Sequence, residues 1–247
     1  MSRQVFVHFL PSLFDPGDLR GGTAVMIDVL RASTTICHAL HAGATAVVPC
    51  AEVDAARETA AAMAGESPVL GGERGGELID GFDLDNSPLR YTTGSVGGRT
   101  VVFTSTNGTR ALMRCSAADQ ILLASFVNLG SVIAYLDRCR GPIHLVSAGT
   151  RGEISAEDVL CAGAIACGLK RLEQTMDVDA DDQARMSAEL FGLHCDRLPD
   201  ALAESRGGRN CRKLGFATDI ARAAEVDRFD LVPMFSPETG RITAFAR

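Results

Sequence analysis

The segment MIDVLRASTT, residues 26–35, ends an apolar run with side chains that could bind a charged ligand. Asp28, Arg31, Ser33 and Thr34 follow the strand-like residues directly. Burying a carboxylate is unfavourable unless it has a partner. Carboxylates, guanidinium groups and hydroxyls can together hold a cation or a phosphate. We therefore predict that this segment meets a charged ligand.

Two glycine-containing segments offer similar chemistry. In GGERGGE, Glu73 and Arg74 stand between glycine pairs, which let a backbone approach a ligand closely; an exposed turn with two solvated charges is the alternative. In TSTNGTR, Asn107 and Gly108 could form a tight turn with positive φ, which leaves N–H groups and hydroxyls free for an anion. A capped strand-to-helix turn would explain the same residues.

The segment SAEDVL places two acidic residues, Glu157 and Asp158, at a predicted helix start. Ser155 and Asp158 have the spacing of a capping box, and the helix dipole favours Glu157, so both residues have a purely structural explanation. The chain contains no standard phosphate-binding loop, no dinucleotide-binding fingerprint and no G-x-S-x-G element. Its five histidines show no metal-ligand spacing.

The elements that must position these residues alternate between β-branched apolar runs and helix-period segments. This pattern predicts an α/β fold, in which helices flank a largely parallel mixed sheet, built as one domain over residues 1–247. The region from Asp177 to Asp227 is predicted to be mostly helical, and residues 229–246 two short strands around a Pro-Glu-Thr-Gly turn. The other predicted strands are residues 4–10, 23–29, 44–50, 68–71, 99–105, 120–125 and 143–148.

Because the polar clusters follow predicted strands, we expect them to meet at the carboxyl rim of the sheet. Acidic side chains gathered there would repel one another unless a cation intervened, and an all-oxygen set suits Mg²⁺. Arginines would bind phosphate, which is the arrangement for phosphoryl transfer. The acidic candidates are Asp28, Glu73 and either Glu157 or Asp158, and the arginines are Arg31, Arg74, Arg110 and Arg151.

Composition and charge narrow the classes of molecule that the protein is expected to bind. The net charge is −7, with no basic run, which argues against nucleic acid, and only Lys170 and Lys213 are lysines, so arginine must supply most cationic recognition. Eight scattered cysteines favour reduced core residues. No signal peptide or membrane-spanning segment is evident, and we expect a cytoplasmic protein without a membrane partner. A homodimer is plausible.

Several segments together resemble the 2-phosphosulfolactate phosphatase family, in order and over nearly the whole chain. They are IDVLRASTTI, GGERGGELIDGFDLDNSP, TSTNGTRAL, SFVN, SAEDVLCAG and ESRGGRNCRKLGFATDIARAAEVDRFDLVP. The resemblance implies a Mg²⁺-dependent phosphatase with an α/β fold particular to the family. Its substrate would be 2-phosphosulfolactate, which is hydrolysed to 3-sulfolactate and phosphate in coenzyme M biosynthesis.

The resemblance also implies which positions form the site. Within it we assign catalysis to Asp28, Arg31, Glu73 and Asp158, and Mg²⁺ binding to Asp28, Glu73, Glu157 and Asp158. Substrate binding is assigned to Ser33, Thr34, Arg74, Asn86, Ser87, Thr106, Asn107, Gly108 and Thr109. Two positions depart from the family pattern, Asp85 in place of glycine and Arg90 in place of an acidic residue, and they bear on the choice of substrate.

A non-catalytic sensor of a small anionic metabolite is the alternative function. A gathering of acidic side chains at one rim argues against it, because an anion sensor has little use for them. A purely structural protein would explain the core and leave the polar rim unexplained.

Overall fold

A computed structural model describes residues 3–172 and 178–245, in which helices flank an eleven-stranded sheet. The strands are β1 (Arg3–His8), β2 (Thr23–Ile27), β3 (Ala46–Cys50), β4 (Val69–Arg74), β5 (Glu77–Leu78), β6 (Thr100–Thr104), β7 (Gln120–Ala124), β8 (Ile143–Ser147), β9 (Val178–Ala180), β10 (Val232–Ser236) and β11 (Arg241–Phe245). The helices are α1 (Ala32–His41), α2 (Val53–Ala62), α3 (Thr93–Val96), α4 (Gly108–Arg114), α5 (Leu129–Leu136), α6 (Ala156–Leu172), α7 (Asp182–His194), α8 (Leu198–Glu204), α9 (Arg206–Lys213) and α10 (Ala217–Ala223). None of these helices has the length and apolar character needed to cross a membrane.

The predicted α/β class is confirmed, and each of the seven predicted strands is present. The predicted C-terminal pair is the antiparallel hairpin of β10 and β11. The region predicted to be helical contains α7, α8, α9 and α10, although its first residue, Asp177, lies outside the described residues. Two short strands, β5 and β9, were not predicted.

The sheet contains two parallel blocks that run in opposite directions. Its strand order is β5-β4-β6-β3-β11-β10-β7-β2-β8-β1-β9. Strands β4, β6 and β3 are parallel, as are β7, β2, β8, β1 and β9. Between the blocks, three successive antiparallel pairings reverse the direction. The expectation that all the strands end along one rim was therefore wrong for this sheet. The strands of one block have their carboxyl ends at one edge, and those of the other block have theirs at the opposite edge.

Twist nevertheless brings the two sets of carboxyl ends together. Neighbouring strands rotate by roughly 20–25°, so the five steps from β6 to β2 accumulate about 100–125°. Met26 of β2 and Phe103 of β6 accordingly belong to the same core cluster. α1 follows β2 and α4 follows β6, and these two helices contact each other. The segments after both blocks therefore converge around the starts of α1 and α4.

Alternation along the strands divides the core into layers. In β2, Met26 faces the cluster that contains α1 and α4, whereas its neighbours Val25 and Ile27 face a second cluster that contains residues of α5 to α10. In β6, Val102 faces a third cluster, which includes Ala56 of α2. This is the two-residue period expected of strands buried on both faces. Both faces of the sheet are thus covered, which fixes the strand ends that carry the polar residues.

Candidate active site

A cleft lies where the two sets of carboxyl ends meet. It encloses about 510 Å³ of empty space, including open solvent at its mouth. Seven of the residues proposed from the sequence line it, namely Asp28, Arg31, Glu73, Asn86, Thr106, Asn107 and Arg151.

Asp28 is buried at the end of β2 and is held by the start of α1. Its Oδ1 accepts a hydrogen bond from the Ala32 N–H at 3.1 Å, while Oδ2 accepts none from the described residues. Burial raises the pKa of Asp28 to about 7, and the negative charges of Glu73 and Glu157 contribute to the rise. The Ala32 hydrogen bond and the positive charge of Arg31 oppose this rise. Unless a metal ion binds beside it, Asp28 therefore resists ionisation until near-neutral pH.

Gly108 lets α4 approach Asp28. The predicted turn with positive φ is absent, because Gly108 is the first residue of α4 and has no positive φ, and Asn107 before it has a φ of −120°. A Cβ atom at Gly108 would lie 2.7 Å from Asp28 Oδ2 and 2.8 Å from the Ala32 Cβ. The glycine is therefore needed for the close approach of the two helix starts, rather than for a left-handed turn.

Glu73 joins the loops that follow β4 and β6, two strands of the block that also contains β3. Its carboxylate accepts hydrogen bonds from the Gly76 N–H at 2.6 Å and from Thr106 through both N–H, at 2.6 Å, and hydroxyl, at 2.9 Å. Glu73 is buried, so the alternative of a solvated charge on an exposed turn is wrong for this residue. The side chain fixes the turn after β4 against the loop after β6, and both form walls of the cleft.

Arg31 is held in the cleft by residues that the sequence analysis did not identify. Its guanidinium donates to Asp219 Oδ2 at 2.8 Å and to the Gly76 carbonyl at 2.9 Å, and it lies 4.1 Å from the centroid of the Phe216 ring. Ser87 donates from its hydroxyl to the second Asp219 oxygen at 2.7 Å. An arginine has five N–H donors. Three of those of Arg31 have no acceptor among the described residues and can bind an anion.

Asp158 lies behind the cleft. Its Oδ1 accepts a hydrogen bond from the Val29 N–H at 2.9 Å, and its Oδ2 accepts one from the Gly149 N–H at 3.0 Å. The carboxylate therefore fastens α6 to the ends of β2 and β8, and it does not form the capping box with Ser155. Burial raises the pKa of Asp158 well above its usual range, and the negative charges of Glu157 and Asp28 add to the effect.

Glu157 is equally buried and keeps one free oxygen. Its Oε1 accepts a hydrogen bond from the Gly207 N–H at 3.0 Å, whereas Oε2 has no partner among the described residues. Burial raises the pKa of this carboxyl. A Cβ atom at Gly207 would overlap Glu157 Oε1, so a glycine is needed here to admit the carboxylate.

The amino-acid sequence is similar to those of known proteins over most of its length. The family model described as 2-phosphosulpholactate phosphatase matches residues 9–238. The chain belongs to the 2-phosphosulfolactate phosphatase family. It is therefore a phosphoric monoester hydrolase.

Three relatives of this phosphatase illustrate how far the similarity extends, and each is named as a probable 2-phosphosulfolactate phosphatase. The protein from Symbiobacterium thermophilum is 40% identical over 219 residues, which cover 89% of this chain and 93% of the relative. The protein from Caldanaerobacter subterraneus subsp. tengcongensis is 38% identical over 216 residues, covering 87% and 88%. The protein from Gloeobacter violaceus is 37% identical over 231 residues, covering 93% and 94%.

Several predicted substrate-binding residues of the phosphatase do not line the cleft, because their polar groups bind protein atoms. The Ser33 hydroxyl accepts from the Asp28 N–H, and Thr34 donates to the Val29 carbonyl at 2.7 Å. Thr109 donates within its own helix turn, to the Ser105 carbonyl at 3.0 Å. Ser87 is committed to Asp219, as described above. In this structure these hydroxyls support the loops, and their direct binding of a ligand stays a prediction.

Two predicted arginines also lie outside the cleft. The guanidinium of Arg74 donates to the Ala51 carbonyl at 2.6 Å and to the Thr104 hydroxyl at 2.9 Å, so it ties strand ends together. Arg110 forms an exposed ion pair with Glu52 at 2.9 Å. The assignment of Arg74 to substrate binding stays a prediction that the observed contacts do not support. Arg151, by contrast, lines the cleft as expected.

The two departures from the family pattern do not line the cleft. The Asp85 carboxylate accepts from the Ser87 N–H at 2.7 Å and so stabilises the turn beside Asn86. Arg90 is exposed, on a short 3-10 turn of residues Pro88–Arg90. Asn86 itself does line the cleft, and its buried Oδ1 has no hydrogen-bond partner among the described residues. Asn86 therefore has a carboxamide to offer to a ligand.

The helix α9 closes one side of the cleft and was missed as a site element. Gly207, Asn210 and Cys211 of α9 line it, as does Leu214 just after the helix. The sequence contained a signal in SRGGRNCRK, where paired glycines allow close packing, but none of these residue types is typical of phosphoryl-transfer chemistry. Burial raises the pKa of Cys211 to about 12, so this residue remains a thiol and is a poor nucleophile.

The acidic side chains fit a magnesium site built from few protein ligands. In residues 3–172 and 178–245, no three His, Cys, Asp or Glu side chains are grouped so that they could hold a metal ion. Protein-bound Mg²⁺ usually takes one or two carboxylates and fills its remaining positions with water and substrate phosphate. Asp28 and Glu157 suit such a site, because each is buried with one oxygen free of hydrogen bonds and their charges interact. The oxygens of Glu73 and Asp158 already accept N–H groups.

Proposed function

We propose that this phosphatase hydrolyses 2-phosphosulfolactate to 3-sulfolactate and phosphate, or hydrolyses a closely similar phosphate monoester with further acidic groups to its own alcohol and phosphate. The observation that carries the proposal is the pairing of Asp28 with Arg31 in one cleft. Arg31 is fixed by Asp219 and keeps three unused N–H donors, and Asp28 keeps one unused carboxylate oxygen. The names of the three relatives support the choice of substrate.

Phosphate recognition falls to Arg31 in this proposal. A guanidinium binds two phosphate oxygens at once and stays charged at every relevant pH. Because Asp219 and the Gly76 carbonyl hold it on one side, the remaining donors are oriented before the substrate arrives, which favours positioning. The unpartnered Oδ1 of Asn86 can accept a hydrogen bond from a water or hydroxyl in the cleft.

Asp28 and Glu157 would hold Mg²⁺, with Glu73 next to them. When bound, this ion would neutralise charge on the phosphate and supply an activated water. Ala32 holds one oxygen of Asp28, and the other oxygen lies beside Gly108 at the start of α4. Glu73 keeps the turn after β4 and Thr106 in place around the ligand. We further propose a cytoplasmic role in coenzyme M biosynthesis, as the family resemblance implies.

The test is phosphate release from 2-phosphosulfolactate by the wild-type chain. We expect no release after treatment with EDTA and full recovery on addition of Mg²⁺. Release that is unaffected by EDTA would contradict the magnesium proposal. No release from this ester or from other acidic phosphate esters, together with thermal stabilisation by sulfolactate, would favour the sensor function instead.

A further inference from the structure

Three cationic side chains stand at the mouth of the cleft, and two of them, Arg209 and Lys213, have no role assigned from the sequence. Arg209 and Lys213 lie one helical turn apart on α9, and Arg151 lies on the loop after β8. Together they line a hollow that continues from the cleft, since Arg151 and Asn210 line both spaces. Lys213 is one of only two lysines in a chain with a net charge of −7. The local positive charge therefore stands out against the charge of the whole chain.

None of these cations forms an ion pair among the described residues, although the Arg209 guanidinium donates to the Glu204 carbonyl and its charge acts on the buried Glu157. Within residues 3–172 and 178–245, no carboxylate lies within 4 Å of the charged groups of Arg151, Arg209 or Lys213. Arg206, which also lines the hollow, differs because it forms an ion pair with Glu153. Like charges that gather without counter-charges are unfavourable unless an anion joins them. The unpaired cluster thus has the character of an anion site.

The loop that carries Arg151 has a defined conformation. Thr150 and Glu153 exchange backbone hydrogen bonds at 2.9 and 3.1 Å, and the Arg151 N–H donates to the Asn107 side chain at 2.9 Å. Arg151 has a φ of 54°, in the left-handed region that non-glycine residues seldom adopt. A Cβ atom placed on Gly75 would lie 3.8 Å from the Arg151 guanidinium, which reaches over the cleft. The arginine is thus held at the junction of cleft and hollow.

Given the phosphatase function proposed above, on which this inference rests, we propose that Arg151, Arg209 and Lys213 form a second anion subsite. It binds an acid group of the substrate other than the phosphate, either a sulfonate or a carboxylate. Arg31 and Asp28 engage the phosphate deep in the cleft, while the three outer cations select esters that carry a further negative charge. A simple phosphate monoester leaves the subsite empty.

The test compares charge-removing variants with substrates that lack one acid group. The variants are Arg209→Gln, Lys213→Gln and the double variant, and the control is Arg212→Gln, an exposed α9 residue that lines neither space. The substrates are 2-phosphosulfolactate, 2-phospholactate, which lacks the sulfonate, and 2-sulfoethyl phosphate, which lacks the carboxylate. We expect the KM for 2-phosphosulfolactate to rise about tenfold in each single variant with little change in kcat.

The shorter substrates identify the acid group that is bound. The ester that lacks it should show the same KM in wild type and variants, and the ester that retains it should show the full rise. Thermal melts that match the wild type exclude misfolding. The proposal is overturned if all three esters respond equally, if none responds, or if Arg212→Gln causes the same change.

A binding measurement keeps this inference separate from the proposed catalysis. If the wild type releases no phosphate from any ester, the proposed function fails, and calorimetric titration with 3-sulfolactate and with lactate then tests the subsite. We expect 3-sulfolactate to bind about tenfold more weakly to the double variant than to the wild type. Equal binding to both proteins, or no binding to the wild type, would overturn the subsite.

Discussion

Replacing Asp219 by asparagine removes the negative charge that holds Arg31 in the cleft. The two side chains are 2.8 Å apart and are exposed by only 4% and 1%. Breaking a buried ion pair on one side leaves an uncompensated charge and costs about 3–5 kcal/mol. Asparagine still offers a carbonyl oxygen, and Arg31 keeps the Gly76 carbonyl and the Phe216 ring. We therefore expect a loss of unfolding free energy at the lower end of this range, about 3 kcal/mol. In a chain of this size, such a loss lowers the Tm by about 6–12 °C.

Activity should fall further than stability alone explains. Because Arg31 loses its orientation, we expect the kcat/KM for 2-phosphosulfolactate to drop about 100-fold at a temperature where the variant is folded. Thermal denaturation and phosphate release measure the two effects. The control is Asp182→Asn, whose side chain is 94% exposed and lies 3.9 Å from Arg185, and it should match the wild type. A variant at Asp219 that melts within about 2 °C of wild type and keeps its activity would refute the positioning role.

The remaining predictions concern the buried acidic residues. Gly207→Ala should lower both Tm and activity, because the new methyl group overlaps Glu157. Gly192→Ala is the control in the same thermal melts and should be neutral or stabilising, because a Cβ there meets nothing within 4 Å. Similar behaviour of the two variants would contradict the close contact between Gly207 and Glu157. The pKa of Asp28 rises from 3.8 to about 7 on folding, so its contribution to stability is fully present below the unfolded pKa and is lost as the pH rises through about 7. In EDTA, the Tm of the wild type should fall more between about pH 5 and pH 8 than that of Asp28→Asn, and Mg²⁺ should restore it at the higher pH; equal falls in both proteins would show that another group titrates.

The fold was predictable where the periodic pattern was local. Residues 24–27 are all apolar and Asp28 follows them, which marks a strand buried on both faces. β5 and β9 have only two and three residues, too few to show a period. The direction of the two blocks depends on how the C-terminal hairpin inserts between β3 and β7, and β11 meets β3 through the pairing of Ile242 with Val47. Such pairing between distant segments leaves no local pattern.

The site was predictable where a charged residue interrupted an apolar pattern. Asp28 stood out in this way, whereas Glu73 was noted for its place between glycine pairs, and both residues line the cleft. Asp219 lies in an ordinary amphipathic helix, and its burial arises from packing of α10 against Pro88–Arg90, so the sequence did not distinguish it from a surface carboxylate. The hydroxyls of Ser33 and Thr34 bind protein atoms in this structure, an arrangement that the sequence did not indicate, because residue type does not show whether a hydroxyl faces the ligand or a neighbouring backbone group.

Phosphate release by Asp28→Asn tests the role of the cleft most directly. The assay uses 2-phosphosulfolactate with saturating Mg²⁺, after thermal melts have shown that the variant is folded. Asp54→Asn serves as the matched control, because that side chain is 88% exposed. We predict that Asp28→Asn loses about 100- to 1000-fold in kcat while the control matches the wild type. Turnover by a folded Asp28→Asn variant at the wild-type rate would contradict the placement of catalysis in this cleft.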